Sequence, residues 1–79
     1  MEVKDGLFSI EIRKVKYGKH VTVINTNGVS KEKKEEIART LKRKLGTGGT
    51  IKNGEIILQG DQTGRIKVIQ SVIHQIMSR

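Results

Sequence analysis

The sequence predicts an α+β protein of two layers, with two helices on one face of a mainly antiparallel sheet. Apolar and polar residues alternate near the N-terminus, an Asn-Gly pair separates two later β-branched stretches, and two segments carry apolar residues at helical spacing. The resulting order is strand, strand, helix, strand, strand, helix. Two hairpins that are each followed by a helix favour a two-layer α/β sandwich whose second sheet face is open.

The length of 79 residues allows one domain with a small core. We therefore predict a single domain over residues 1–79, with residues 1–6 as a flexible N-terminus. The chain has no cysteine, so it can form neither a disulfide nor a thiol nucleophile. Because no apolar run is long enough, we expect no membrane-spanning segment and no signal peptide.

The first hairpin is predicted from alternation with a period of two over residues 7–15. The phase of the alternation then changes, which suggests a β-bulge near Arg13 and Lys14. A glycine turn leads to a second strand at residues 21–24. Turn-forming residues follow at 25–28.

The first helix is predicted over residues 31–45. Ser30 is a favoured N-cap residue, and Gly46 is a favoured residue after a helix end. Acidic side chains lie early in this segment and basic ones late, an order that complements the helix dipole. The apolar stripe consists of Ile37, Ala38, Leu41 and Leu45.

The second hairpin is predicted from the Asn53-Gly54 pair, which is typical of a type I′ turn. Pairing about this turn places Ile51 opposite Ile56, on the face toward the helices. The glycine-rich segment 46–50 follows a helix, precedes a strand and lacks the Gly-Lys-Ser/Thr of a phosphate-binding loop. We therefore interpret its glycines as a requirement of backbone geometry.

The second helix is predicted to begin with Asp61 as its N-cap and to extend to about residue 77. Its apolar face consists of Ile66, Ile69, Ile73, Ile76 and Met77. Neither His20 nor His74 belongs to a recognisable hydrolase or zinc-protease pattern. We predict no enzyme activity, no cofactor and no metal site.

The charge of the chain predicts a polyanionic partner. Sixteen Lys and Arg residues stand against eight Asp and Glu residues, which gives a net charge of +8 and a pI near 10.1. The candidate RNA-binding residues lie on the first hairpin, the first helix and the start of the second helix: Lys14, Lys16, Tyr17, Gly18, Lys19 and His20; Arg39, Lys42 and Arg43; Arg65 and Lys67. An ordinary solvated surface does not explain the hairpin cluster, because no acidic residue lies between Lys14 and Ile24.

Aromatic residues are scarce, since Phe8 and Tyr17 are the only two. Proteins that bind single strands usually stack several bases on aromatic rings. The sequence therefore predicts recognition of structured RNA or DNA through its backbone and shape.

Four motifs in order resemble the translation initiation factor 1 family. They are "IEIR" at 10–13 before the basic hairpin, "VTVI" at 21–24 after it, and "GTGGT" at 46–50 and "QGD" at 59–61 on either side of the second hairpin. The last two are the most specific, and the similarity covers residues 8–77.

The resemblance implies a factor that binds the small ribosomal subunit near the P site and discriminates against wrong start codons. Its implied partners are small-subunit rRNA, the neighbourhood of initiator tRNA and mRNA, and other initiation factors. It implies no enzyme activity, no membrane, no small-molecule substrate and a cytoplasmic location.

Residue by residue, the resemblance implies three matches. The family's basic hairpin loop matches Lys14, Lys16, Tyr17, Gly18, Lys19 and His20, its basic helix matches Lys42, Arg43 and Lys44, and the start of its second helix matches Gln59, Gly60, Asp61 and Gln62. The chain departs from the family where Thr63 and Gly64 precede Arg65, since the family usually places a basic residue directly after this motif.

Both ends of the chain also differ from many family members. We expect it to lack their last strand and the long N-terminal tail of eukaryotic members. These differences favour an archaeal-type factor, or a bacterial or divergent relative.

Two alternative functions remain open from the sequence. One is a regulator of the same fold that binds the ribosome or structured RNA without a role in start selection. The other is a protein-interaction module that uses the open sheet face or a sheet edge.

Overall fold

The computed structural model describes residues 2–5, 8–26 and 28–78. Within these ranges it has five strands and two helices, which are β1 (Glu2–Asp5), β2 (Phe8–Lys14), β3 (His20–Thr26), α1 (Lys31–Leu45), β4 (Gly49–Lys52), β5 (Glu55–Gln59) and α2 (Ile66–Met77). Short 3-10 turns lie at Lys16–Gly18 and Thr63–Arg65. The predicted α+β class and element order are confirmed from β2 to α2. Neither helix in the described part of the chain is long and apolar enough to cross a membrane.

The sheet is antiparallel throughout, in the order β1-β2-β3-β5-β4. Its edge strand β1 differs from the sequence prediction, which treats residues 1–6 as a flexible N-terminus. Instead, β1 pairs with β2 from Glu2 opposite Glu11 to Asp5 opposite Phe8. A segment of four residues with a single β-branched member is too short for periodicity to reveal.

The predicted bulge near Arg13 and Lys14 is wrong. Strands β2 and β3 keep one register from Phe8 opposite Thr26 to Lys14 opposite His20. The alternation changes phase because the chain leaves the sheet after Lys14, which ends the period of two. Strand β3 also extends to Thr26, so the first half of the predicted turn at 25–28 belongs to the strand.

The second half of the turn predicted at 25–28 consists of Asn27 and Gly28. Gly28 adopts a positive φ of 67°, as a turn residue does. Asn27 lies outside the described residues.

The core lies between the two helices and one face of the sheet. It contains the predicted apolar stripe of α1, three of the five predicted stripe residues of α2, and inward-facing residues of β2, β3 and β5. Ile66 and Met77 of the predicted α2 stripe are only partly buried against this core, and Val72, which was not predicted, belongs to it. Its buried members are Phe8, Ile10, Ile24, Ile37, Ala38, Leu41, Leu45, Ile56, Leu58, Ile69, Val72, Ile73 and Ile76. Both helices therefore cover the same face of the sheet, as the sequence predicts.

Local signals predict the ends of α1 and the second hairpin. The Oγ of Ser30 accepts a hydrogen bond from the backbone N–H of Lys33 at 3.3 Å, and α1 ends at Gly46 with a φ of 64°. Asn53 and Gly54 both have positive φ, at 53° and 77°, as a type I′ turn requires. These predictions are confirmed, and so is the pairing of Ile51 with Ile56.

The predicted start of the second helix is wrong. Helix α2 begins at Ile66, and Asp61 does not cap it. The Oδ1 of Asp61 accepts a hydrogen bond from the backbone N–H of Thr63 at 2.9 Å. This local turn competes with helix formation, and Gly64 in the following 3-10 turn has a low helix propensity.

A close approach between β4 and β5 requires glycine at position 49. A Cβ added to Gly49 would lie 2.8 Å from the carbonyl oxygen of Ile57 and 2.9 Å from the Cδ2 of Leu58. We expect Gly49→Ala to lower the free energy of unfolding by about 1–3 kcal/mol, because the two strands must move apart. Urea denaturation followed by circular dichroism measures this change.

Gly64→Ala is the matched control for this substitution. A Cβ at Gly64 meets no described atom within 4 Å, so the alanine fits without displacement. We expect its stability to be unchanged or raised by up to about 1 kcal/mol. Equal stability of both variants would contradict the close approach at Gly49.

Candidate nucleic-acid interface

The loop between β2 and β3 projects the predicted basic residues into solvent. The backbone N–H of Val15 donates to the carbonyl of Lys19 at 2.8 Å, and the N–H of Lys19 donates to the carbonyl of Lys16 at 3.4 Å. These bonds close a small loop in which Tyr17 and Gly18 have φ values of 64° and 73°. All residues from 13 to 20 are exposed.

The hairpin base is hydrogen-bonded to the segment 59–62, which contains the "QGD" motif. Thr22 is fully buried, and its Oγ1 donates to the carbonyl of Gly60 at 2.8 Å and accepts from the N–H of Gln62 at 2.9 Å. The N–H of Gly60 donates to the carbonyl of His20 at 2.9 Å. The motif is therefore fixed to the base of the basic loop.

The end of α1 is joined to the same place. The N–H of Gln59 donates to the carbonyl of Gly48 at 2.9 Å, and the Oγ1 of Thr47 donates to the carbonyl of Gln59 at 3.0 Å. The Nη1 of Arg65 donates to the carbonyl of Leu45 at 2.8 Å, which satisfies a free carbonyl in the last turn of α1. The two family-like motifs thus contact each other and the hairpin.

These bonds assemble one end of the molecule, which we name the loop end and define as residues 14–20, 42–48 and 59–67. It contains eight basic residues, which are Lys14, Lys16, Lys19, Lys42, Arg43, Lys44, Arg65 and Lys67. Its one acidic residue is Asp61. The chain's positive charge is therefore concentrated at this end.

The Asp61 carboxylate stays ionised in this setting. Hydrogen bonds from the side chain and the backbone of Thr63 lower its pKa, and the nearby His20 contributes in the same direction. Between the hairpin base and Gly60 lies an open cleft of about 410 Å³, whose wall combines Val15 and Val21 with Lys19 and His20. The loop end therefore offers positive charge around a partly apolar surface.

The structure brings most of the predicted site residues together at the loop end, whereas Arg39 lies outside it, one helical turn before Lys42 and in the same groove as that residue. Arg39 lies midway along α1, beside a groove shared with Glu35 and strand β4. Arg65 is exposed at the loop end, yet its guanidinium also holds the end of α1.

The sequence analysis did not predict that Thr22 joins the hairpin to the segment 59–62. A threonine beside Ile24 on the core side of β3 was the available signal, because a buried hydroxyl needs partners. The sequence matches Lys44 only to the family's basic helix, and the structure adds it to the loop end.

The sheet face without helices is covered by an ion-pair network. Arg13 donates to both carboxylate oxygens of Glu55, at 3.2 and 3.1 Å, and to Glu11 at 2.9 Å. Asn25 donates to the same Glu55 at 3.1 Å. Hydrogen bonds from Arg13 and then Asn25 lower the pKa of Glu55. The network crosses β3 near Val23, whose side chain is 1% exposed although it points away from the helices.

Comparison with known proteins identifies a family whose matched region includes the motifs of the loop end. The family model "Translation initiation factor SUI1" matches residues 4–69, which include the hairpin loop, α1 and both glycine-containing motifs. The chain belongs to the SUI1 family. Its resemblance to an initiation factor family is confirmed at this level.

Three SUI1-family relatives carry the name "Protein translation factor SUI1 homolog". The one from Ignicoccus hospitalis is 46% identical over 61 residues, 77% of this chain and 59% of that protein. The one from Sulfolobus acidocaldarius is 44% identical over 66 residues, 81% of this chain and 65% of that protein. The one from Pyrococcus horikoshii is 48% identical over 58 residues, 73% of this chain and 59% of that protein. The chain thus spans less than two thirds of the length of these relatives.

Removal of the buried Thr22 hydroxyl should destabilise the loop end. Thr22→Val keeps the shape of the side chain but leaves the Gly60 carbonyl and the Gln62 N–H without their partner. We expect a decrease of about 1–3 kcal/mol in the free energy of unfolding. We also expect faster hydrogen exchange of the Gln62 amide, measured by NMR.

Thr26→Val is the matched control on the same strand. Thr26 is 8% exposed, and its hydroxyl has no hydrogen-bond partner within the described ranges. Replacing it should leave stability unchanged or slightly raised, because an unsatisfied polar atom is removed. Similar decreases in both variants would show that the Thr22 bonds contribute little.

Proposed function

We propose that this chain acts as translation initiation factor 1, binding the small ribosomal subunit near the P site and promoting accurate selection of the start codon and initiator tRNA. The observation that carries the proposal is the concentration of eight basic residues at the loop end. These residues lie far apart in sequence, and the fold collects them at one end of the molecule, within the range matched by the SUI1 family.

RNA is the partner that best fits this surface. Contacts between lysine or arginine and phosphates release bound counterions, and this release supplies much of the affinity for nucleic acids. Without a polyanion, the like charges at the loop end repel one another. The rRNA of the small subunit offsets this repulsion, and other initiation factors and the bound mRNA are further neighbours.

The hairpin loop is the part that approaches the codon–anticodon duplex in this proposal. It is exposed from residue 13 to residue 20, and its base is fixed by the Thr22 hydrogen bonds. A loop whose base is fixed in this way can be sensitive to the geometry of the duplex beside it. Correct pairing geometry tolerates or releases the factor, whereas a mismatched geometry does not. The protein would act in the cytoplasm, by occupancy and without catalysis.

A ribosome-associated regulator of the same fold is the second candidate. It would use the same loop end and lack the effect on start selection. The protein-interaction alternative has less support, because Arg13, Glu55 and Asn25 on the helix-free sheet face already bond to one another.

Simultaneous replacement of Lys14, Lys16 and Lys19 by Ala tests the proposal. All three side chains are exposed, so we expect the fold to remain intact. The log–log slope of subunit affinity against salt should fall by about 2–3, because each phosphate that a lysine neutralises contributes about 0.7–0.9 to the slope. Co-sedimentation with purified small subunits over a salt series measures the slope. The same variant should relax discrimination between AUG and a near-cognate codon in a reconstituted initiation assay.

The control removes the same charge from the opposite end of the molecule, by replacing Lys31, Lys33 and Lys52 with Ala. Its slope should change much less, because these residues lie outside the loop end. Equal slopes for both variants would reject the loop as the RNA-binding element. A lower slope with unchanged discrimination would favour the regulator, and absence of subunit binding by the natural sequence would reject the ribosomal assignment.

A further inference from the structure

Tyr17 occupies a position that a turn alone does not explain. It is the only tyrosine of the chain, its side chain is 95% exposed, and its φ is 64°. Asn, Asp and Gly adopt this left-handed conformation readily, whereas a bulky side chain rarely does. The ring makes almost no packing contact that could offset the backbone strain, so its benefit must come from a partner.

The loop holds the backbone of Tyr17 in place. The bonds from Val15 to Lys19 and from Lys19 to Lys16 close the backbone on both sides of Tyr17. A ring presented by a closed turn gives up little conformational freedom on binding. The closed turn therefore presents the exposed ring from a preformed backbone.

The surroundings of the ring decide which kind of partner it meets. Lys14, Lys16 and Lys19 flank it, and the sequence contains no acidic residue from position 14 to position 24. An apolar pocket on a protein would leave these charges without compensation. RNA supplies phosphates for the lysines and the flat face of a base for the ring.

We propose that Tyr17 stacks on an unpaired nucleobase of the RNA that the loop end binds. The proposal rests on the proposed function, in that this RNA is taken to be part of the small-subunit initiation complex. A single ring accommodates a single base, so its target is an extruded or unstacked nucleotide in an otherwise structured RNA. The lysines contact the phosphates around it.

Two substitutions distinguish the contribution of the aromatic ring to binding from that of the turn backbone. Tyr17→Phe keeps the ring, and Tyr17→Asn removes it while suiting the left-handed backbone. We expect Tyr17→Asn to bind purified small subunits about 5- to 150-fold more weakly, the usual range when one base no longer stacks on an aromatic ring. Tyr17→Phe should bind like the natural sequence. The salt slope should stay unchanged in both variants, because no charge is removed.

The stability of Tyr17→Asn gives an independent readout. Relief of the left-handed strain should raise the melting temperature of the free protein while subunit affinity falls. A residue that only shapes the turn would not produce these opposite changes. A lower melting temperature would contradict the strain on which the inference depends.

The single tyrosine also allows a direct observation of stacking. Two RNA probes are compared by NMR, a hairpin with unpaired purines in its loop and a fully paired duplex of equal charge. We expect the NMR signals of the Tyr17 ring protons to shift upfield when the RNA hairpin is added, owing to the ring current of the base. The duplex should leave them nearly unshifted.

The outcomes distinguish failure of this inference from failure of the proposed function. If Tyr17→Asn binds subunits normally while the triple lysine variant does not, stacking is rejected and the proposed function stands. If weaker subunit binding is seen without any upfield shift, the ring meets a protein pocket and stacking is rejected. If the natural sequence fails to bind subunits but its ring shifts with the hairpin, stacking stands and the ribosomal assignment is rejected.

Discussion

The buried hydroxyl of Thr22 is the group on which the loop end depends. One side chain on the central part of the sheet donates to Gly60 and accepts from Gln62, so it joins the first hairpin to the chain that leaves the second. Burial strengthens this constraint, because breaking it leaves two backbone groups without partners. The start of α2 is placed by the same bonds, and Arg65 then reaches the end of α1. A neutral residue thus positions cationic side chains that are distant in sequence.

The antiparallel arrangement explains why charge accumulates at one end. Helix α1 begins beside the turn of the second hairpin, where the Nζ of Lys34 donates to the carbonyl of Gly54, and it ends beside the first hairpin. Acidic residues early in α1 and basic residues late in it therefore become two different ends of the molecule. The basic end also suits the helix dipole of α1, so part of the charge pattern stabilises the helix. The hairpin lysines have no such local reason, and they carry the argument for RNA.

The two faces of the sheet are occupied by the protein's own side chains in different ways. One face is buried by both helices, and the other carries the bonded side chains of Arg13, Glu55 and Asn25 beside the buried Val23. The proposed RNA contacts therefore lie on loops and helix ends rather than on either face of the sheet. The strained Tyr17 fits this division, because local strain is tolerated where the surrounding backbone is firmly held.

The sequence by itself determined the features that depend on short-range interactions. Ser30, Gly46 and Asn53-Gly54 mark their boundaries because a cap or a turn involves only neighbouring residues. The apolar stripes of both helices followed from periodicity for the same reason. The tertiary structure decided what depends on long-range pairing. Strand β1 exists because β2 offers it an edge, and the unbroken β2–β3 register excludes the bulge that the local pattern suggested. The sequence identified the basic residues one by one. It could not predict that they lie together at one end, because hydrogen bonds between residues up to 40 positions apart bring them there.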